Sequence, residues 1–222
     1  MTGPGWRVVR RRSTAAEFHA LAIPEPAARE IWVHEITQPA LVLGSTQRGD
    51  GFADAAACDR AGVDVVRRRS GGGAVLLIPG EVTWVDVVLP AGNAGWSDDV
   101  HRPMVWLGER LSVAFGAAGL AGTQVHGGAM VSTDHSRLIC FDGLGPGELT
   151  LGGAKLVGIS QRRTRAAARL QCCWYSTYEP AALTSLLVDG PEPGALRPVA
   201  TIDQTIAASV VDLLVDELDA AS

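Results

Sequence analysis

One stretch constrains the fold more than any other: Arg67-Arg68-Arg69-Ser70-Gly71-Gly72-Gly73-Ala74-Val75. Three successive glycines hold neither helix nor strand well, and they permit positive φ and close backbone approach. The chain must therefore turn here. On either side the sequence reads as strand: Val63 to Arg67 before, Ala74 to Ile78 after. No helix follows within the turn and no Gly-Lys-Ser/Thr completes it, so it is neither a dinucleotide fingerprint nor a Walker A loop. A strand–glycine turn–strand unit of this kind belongs to a chain built on sheets.

Other strands follow the same logic. Ile31–His34, Ala40–Gly44 and Val82–Leu89 are apolar runs bounded by turn residues; Pro79-Gly80 opens the last and Pro90 stops it. Leu138–Phe141, Leu149–Leu151, Lys155–Ser160 and Arg169–Tyr175 are shorter strand candidates. Helices are expected over 13–21, over Ala53–Ala61 closing at Gly62, and from the Ser97-Asp98-Asp99 cap to about Ala118. In the long helix Val100, Met104, Leu107, Leu111 and Phe115 share a face. Thr201 and Gln204 read as a capping box for a last helix over 201–219. The expectation is α+β (α/β): a mixed, largely antiparallel sheet flanked by helices. It forms a single domain over 1–222, with a core at about 20–187, a Pro/Gly-rich linker at 188–198, and no accessory C-terminal domain.

Charge and cysteines narrow the function. The net charge of −5 argues against a nucleic-acid binder. No apolar run reaches the roughly 18 residues of a membrane span, and the basic start lacks the apolar core of a secretory signal. Cys58, Cys140, Cys172 and Cys173 have no zinc or redox spacing, so reduced thiols in a cytoplasmic protein are expected, with no metal site.

Two constellations can carry chemistry. In the glycine turn, several N–H groups can face one anion, with Arg67 and Arg68 adding bidentate contacts; the plain alternative is a hairpin with solvated arginines. The second is Lys155-Leu156-Val157-Gly158-Ile159-Ser160. Of the 19 basic residues, 18 are arginine and only Lys155 is lysine. A position that keeps lysine amid such bias can need a compact ammonium rather than a planar fork. The plain alternative is a lysine guarding a sheet edge.

Together these motifs resemble the lipoate/biotin protein ligase superfamily: lipoate–protein ligases, octanoyltransferases and biotin–protein ligases. Arg67-Arg68-x-Ser70-Gly71-Gly72-Gly73-Ala74-Val75 and Lys155-x-x-Gly158-x-Ser160 match its two ordered motifs, and Leu41–Gln47 matches its early strand. The resemblance covers roughly 20 to 180. It implies a catalytic domain like those of class II aminoacyl-tRNA synthetases and biotin–lipoate ligases. It places an acyl group or adenylate against Ser70, Gly71, Gly72, Gly73, Ala74 and Val75, with Arg67, Arg68, Gln47, Gly158 and Ser160 nearby. Lys155 would stabilise charge on the reacting carboxyl. The reaction implied is attachment of lipoate or octanoate to a lysine of a lipoyl domain, in a 2-oxoacid dehydrogenase complex or the glycine cleavage H protein. The unbroken glycines favour an acyl-adenylate from ATP with Mg²⁺. A cysteine upstream of the lysine, here Cys140, marks the ATP-free octanoyltransferases that draw on acyl carrier protein, although a buried strand cysteine explains Ile139-Cys140-Phe141 slightly better. Departures from the ligase pattern (Leu76–Glu81 after the turn, Gln171-Cys172-Cys173 downstream, no accessory domain) keep open a non-catalytic acyl- or nucleotide-binding member that works with a partner chain.

Overall fold

The computed structural model describes residues 5–48 and 51–221. Its frame is a seven-stranded sheet in the order β1-β2-β6-β10-β9-β8-β7. The strands are β1 (Arg7–Ser13), β2 (Glu30–Ile36), β6 (Val82–Pro90), β7 (Thr123–Val125), β8 (Leu149–Leu151), β9 (Ala154–Arg163) and β10 (Ala167–Tyr175). Every pairing is antiparallel except β1 with β2. β6 and β10 are the central pair, in register from Ala167↔Pro90 to Tyr175↔Val82. Both are largely buried because both faces are covered, and their polar members Asp86 and Arg169 pair with each other.

Two helices cover one face: α3 (Arg102–Ala117) and α5 (Gln204–Ala220). Their stripes, Leu107, Leu111 and Phe115 on one and Val210, Leu214 and Leu218 on the other, pack on Val85, Val87, Leu170 and Trp174. Each such side chain contributes about 1.5–3 kcal/mol on burial. On the other face, α1 (Ala15–Ala20) begins at a capping box between Thr14 and Glu17 and buries Phe18 against Trp84.

A second, three-stranded sheet carries the glycine turn. Its order is β4-β3-β5, with β3 (Ala40–Leu43) between β4 (Asp64–Arg67) and β5 (Val75–Leu77). β3 is parallel to β4 and antiparallel to β5. The link from β4 to β5 must therefore arc over the end of β3, which leaves no room for a side chain at two points: a Cβ on Gly44 would lie 1.8 Å from the Gly72 carbonyl oxygen, and one on Gly73 would lie 2.7 Å from the Ile139 backbone. Gly71 faces open space. α2 (Ala55–Ala61) is capped by Asp54 and ends at Gly62 in the left-handed region (φ 64°). It packs with α4 (Pro180–Thr184) around Leu41, Leu43 and Leu76.

Several local expectations change. Ser97 and Asp99 close local turns, accepting from the amides of Asp99 (3.2 Å) and His101 (2.8 Å), so α3 starts only at Arg102 with Pro103 in its first turn. Val100 consequently lies outside the helix and is half exposed. Cys140–Asp142 is a single 3₁₀ turn rather than strand. α5 is capped by Asp203, whose carboxylate accepts from Thr205 N at 2.7 Å, while Thr201 pairs with Tyr175. β1, β7 and α4 were not anticipated.

Candidate active site

The turn is braced from within. Arg68, only 5% exposed, donates from its guanidinium to Gly71 O (2.8 Å) and Gly73 O (2.9 Å), so its charge fixes the arc instead of facing solvent. Ser70 Oγ donates to Gln171 Oε1 (3.1 Å) and meets Ser160 Oγ at 3.1 Å, tying the turn to β10 and β9 of the large sheet. Arg67 points to solvent.

Lys155 lies opposite the turn at the start of β9, 6% exposed. Its ammonium is 2.6 Å from Glu148 Oε2 and donates to the carbonyls of Cys140 (3.1 Å) and Gly143 (3.0 Å). It also lies 4.8 Å from the centre of the Phe141 ring. Burial by itself pulls the Lys155 pKa down, but the Glu148 carboxylate outweighs it and the net shift is upward. Lys155 is therefore a fixed cation, suited to stabilising developing negative charge and unsuited to taking a proton. Glu148 is itself oriented by Gly145 N (2.6 Å) and Ile159 N (3.0 Å). The pair is thus buried and saturated, which an edge-guarding lysine would not be.

Cys140 opens the 3₁₀ turn and is half-buried, not a buried strand cysteine. Its Sγ is 3.7 Å from the Arg68 guanidinium. The other cysteines near the site are held as thiols: burial, then Cys140 beside it, pushes Cys173 up to about 12, and burial raises Cys172 well above the usual thiol range.

Gly71, Gly72, Gly73, Cys140, Glu148, Lys155, Ile159 and Ser160 line one cleft of about 420 Å³, with Met104 and Met130 at its apolar side. The structure thus brings both motifs to one space. Behind Ser160, a narrow space of about 40 Å³ is walled by Val42, Val75, Leu77 and Trp84. Arg68 and Ser70 brace the turn without lining the cleft, Val75 lines only the narrow space, and four further expected residues sit elsewhere. Gln47 is a buried clip, accepting from Gly44 N (2.9 Å) and donating to Leu138 O (3.0 Å). Ala74 pairs with Ile139 beneath the turn. Gly158 leaves room for the Phe141 ring, which a Cβ there would meet at 2.9 Å. Arg67, as noted, faces outward.

Sequence reasoning did not single out Glu148 for the site. It lies seven positions before Lys155 across a β-hairpin with a bulge at Leu149/Thr150, and no periodicity flags such a pair. Among the described residues Glu148 is the one acid lining the cleft, and it is held by Lys155, Gly145 N and Ile159 N. Of the cleft's cations, Lys155 is paired with Glu148, and Arg163 donates to Ser97 O at 2.5 Å while its buried Nη1 has no partner among the described residues. Among the described residues no three His, Cys, Asp or Glu side chains converge as metal ligands, and no helix is long and apolar enough to cross a membrane.

A glycine arc facing a buried lysine across a largely antiparallel sheet is the architecture of lipoate-ligase catalytic domains. The chain belongs to the lipoyl protein ligase A/B catalytic domain family, whose model matches residues 18–221. It is similar in sequence to the octanoyltransferase LipM of Carboxydothermus hydrogenoformans, 32% identical over 127 residues; the match takes in 57% of this chain and 45% of that enzyme, so the chain spans just under half of its relative. In fold it is similar to a lipoate-protein ligase A bound with ATP (TM-score 0.73, 14% identity, covering 97% of this chain and 86% of that one). It is also similar to Ta0514 of T. acidophilum, a protein solved with bound lipoic acid (TM-score 0.68, 13% identity, 98% and 86% coverage). These relatives are ligases and acyltransferases.

Proposed function

We propose that the protein moves an acyl group, octanoyl or lipoyl, from a thioester donor to a lysine of a lipoyl domain, through an acyl-thioester on Cys140. The observation that carries this reading is the position of the Cys140 thiol: half-buried, 3.7 Å from the Arg68 guanidinium, in the cleft that Lys155 and the glycine turn also line. Cys172 and Cys173 are locked as thiols by burial, which leaves Cys140 as the nucleophile.

In the first step the Cys140 thiolate attacks the donor's thioester carbonyl. The C–S bond to the donor breaks and the departing thiol takes up a proton, leaving acyl-Cys140. In the second, the neutral acceptor amine attacks the same carbonyl. The bond to Cys140 breaks, the nitrogen gives up a proton, and the thiol is restored with an amide formed. Both tetrahedral intermediates carry a negative oxygen. The Lys155 ammonium, preorganised by Glu148 in a dry cleft, supplies the opposing charge without rearrangement. Acyl carrier protein supplies the thioester, and the acceptor is the lipoyl domain of a 2-oxoacid dehydrogenase complex or the glycine cleavage H protein. We prefer this route to the adenylate route suggested by the glycine turn because Glu148, the one acid lining the cleft among the described residues, is already paired with Lys155.

Intact mass spectrometry tests it. Incubation with octanoyl–acyl carrier protein should add one octanoyl group to the enzyme, mapped to Cys140, and then to an apo lipoyl domain. A lipoyl domain that gains mass only with ATP and free acid, or gains it equally with Cys140→Ala, overturns the reading.

A further inference from the structure

The strand β9 outruns its neighbour. It continues to Arg163, but β8 pairs with it only as far as Val157. From Gly158 onward one side of β9 is bonded to β10 and the other has no strand beside it. Two bonds fix which backbone groups face that open side. Ile159 N turns away from β10 to meet Glu148 Oε1 (3.0 Å), whereas Thr164 N turns towards β10 to meet Ala167 O (2.9 Å). Inward and outward groups alternate residue by residue in an antiparallel ladder. The N–H and C=O of Gln161 and Arg163 therefore face outward, as those of Ile159 do. Among the described residues no backbone group beyond β10 pairs with Gln161 or Arg163. Both residues line the same cleft as Cys140 and Lys155.

Their side chains are also short of partners. The Arg163 guanidinium lies over the Trp96 ring, 3.9 Å from its centre. It donates from Nη2 to Ser97 O, while Nη1 is buried and unpaired. Gln161 donates to Val100 O (2.8 Å), and its buried Oε1 is likewise unpaired. A bare strand edge is a template for an extended chain of amides, and polar atoms left unpaired away from water are costly. A cleft that received only an octanoyl chain would need neither.

We propose that the open edge of β9 at Gln161 and Arg163 binds the amide-bearing arm of the thioester donor, the pantetheine arm of acyl carrier protein. That arm is extended and carries two amides in series beyond its sulfur. With the sulfur at Cys140, the arm lies along β9 and pairs its N–H and C=O groups with the strand edge as an added strand does. Arg163, stiffened by Trp96, supplies further donors to its oxygens. The inference rests on the acyl-transfer reading and adds the part of the donor that the enzyme recognises.

The test times acyl-Cys140 formation by intact mass with three octanoyl thioesters: of pantetheine, with two amides; of N-acetylcysteamine, with one; and of 2-methoxyethanethiol, with none. The three thiols are of similar acidity, so the leaving group is matched. Two or more neutral hydrogen bonds are worth roughly tenfold or more. At limiting donor, the wild type should acylate at least about tenfold faster from the pantetheine thioester than from the methoxyethyl one, with the one-amide donor between. Gln161→Pro deletes the outward N–H at a strand edge, where proline is tolerated, and Arg163→Gln removes the guanidinium. In each, the preference for pantetheine should shrink to within about threefold. That ratio is internal to each variant, so a general loss of folded enzyme does not change it. Equal rates from all three donors in the wild type, or an undiminished preference in both variants, overturns the assignment. So does a preference that stays while the KM for the lipoyl domain rises, which gives the edge to an acceptor strand instead. Failure of every thioester to acylate Cys140 sinks the transfer reading and this assignment with it, whereas acylation indifferent to the arm sinks this assignment alone.

Discussion

Replacing Glu148 by glutamine tests the electrostatics of the site in isolation. Glu148 and Lys155 are each about 5% exposed and 2.6 Å apart. At an effective dielectric near 20 that separation is worth roughly 6 kcal/mol of attraction, opposed by several kcal/mol of lost hydration per ion. Removing one charge leaves the other buried and uncompensated, at a cost of about 3–5 kcal/mol. Glu148→Gln should therefore lower the unfolding free energy by that much, measured by urea denaturation at pH 7. Lys155→Met should cost a similar amount, which departs from the small effect an open-cleft lysine would have. The double variant, with both ions gone, should recover to within about 2 kcal/mol of wild type, giving a coupling of about 4–8 kcal/mol. The pH dependence adds a second readout. In wild type the Lys155 pKa is raised, so its contribution is fully present below the ordinary lysine value and is lost only as pH climbs through the folded one. In Glu148→Gln the largest opposing charge is gone and burial pulls the folded pKa down. That variant should regain stability relative to wild type as pH rises toward the ordinary lysine value. Strictly additive single losses, or a destabilisation that does not change with pH, would show that the two residues are not a coupled ion pair.

Cys140→Ala should keep the wild-type urea midpoint and lose acyl transfer from acyl carrier protein, read as absence of the acyl-enzyme by mass. Lys155→Ala should cut transfer by a few hundredfold, about 3–4 kcal/mol of transition-state stabilisation, and Lys155→Arg should fail as well because a planar fork does not fit a compact ammonium site. Gly73→Ala forces a Cβ to 2.7 Å from the Ile139 backbone, so it should destabilise by about 1–3 kcal/mol; thermal melting checks this. Burial, despite the nearby Asp86, holds His19 neutral with its pKa lowered to about 3, so protonation favours the unfolded chain. Stability should fall as pH drops below about 6.5, by at most ~1.4 kcal/mol per unit, and His19→Leu should flatten that slope in urea titrations at pH 6.5 and 4.5.

The parts of the site legible in the sequence were those that need an unusual residue. In the Gly71–Gly73 run, Gly72 takes a positive φ and Gly73 has no room for a Cβ, and Lys155 stands out against 18 arginines. Glu148 does not, since glutamate is common and its meaning arises only when a bulged hairpin brings it back to Lys155. Cys140 was half legible: Ile139-Cys140-Phe141 is apolar enough for a strand, but the backbone tightens into one 3₁₀ turn that swings the thiol into the cleft. β1 was hidden by its arginines, whose charges make Arg7–Ser13 read as a basic tail. In the fold those charges are met from neighbouring elements: Arg7 by Glu30, Arg12 by Glu35 at 2.9 Å, and Arg10 by Asp212 at 3.0 Å. Local capping signals at Ser97 and Thr201 misplaced two helix starts: Ser97 closes a local turn, as short polar side chains readily do, and Thr201 is drawn into a bridge with Tyr175 while Asp203 caps α5.

The clasp between Trp6 and the end of α5 has a consequence for biosynthesis. Trp6 N donates to Asp219 Oδ1 (2.8 Å) and its indole to Leu218 O (3.0 Å), across more than two hundred residues, and Trp6 joins the same apolar cluster as Val210, Leu214 and Leu218. A polypeptide leaving the ribosome synthesises β6, β9 and β10 well before the helix that covers them exists. Until α5 emerges, Val85, Val87 and Leu170 have no lid, and the nascent sheet presents an apolar face to whatever surrounds it. Folding of this domain therefore completes only once α5 has emerged, with the last turn of that helix as its closing event. Translation pauses or chaperone capture should matter most while α5 is still being made.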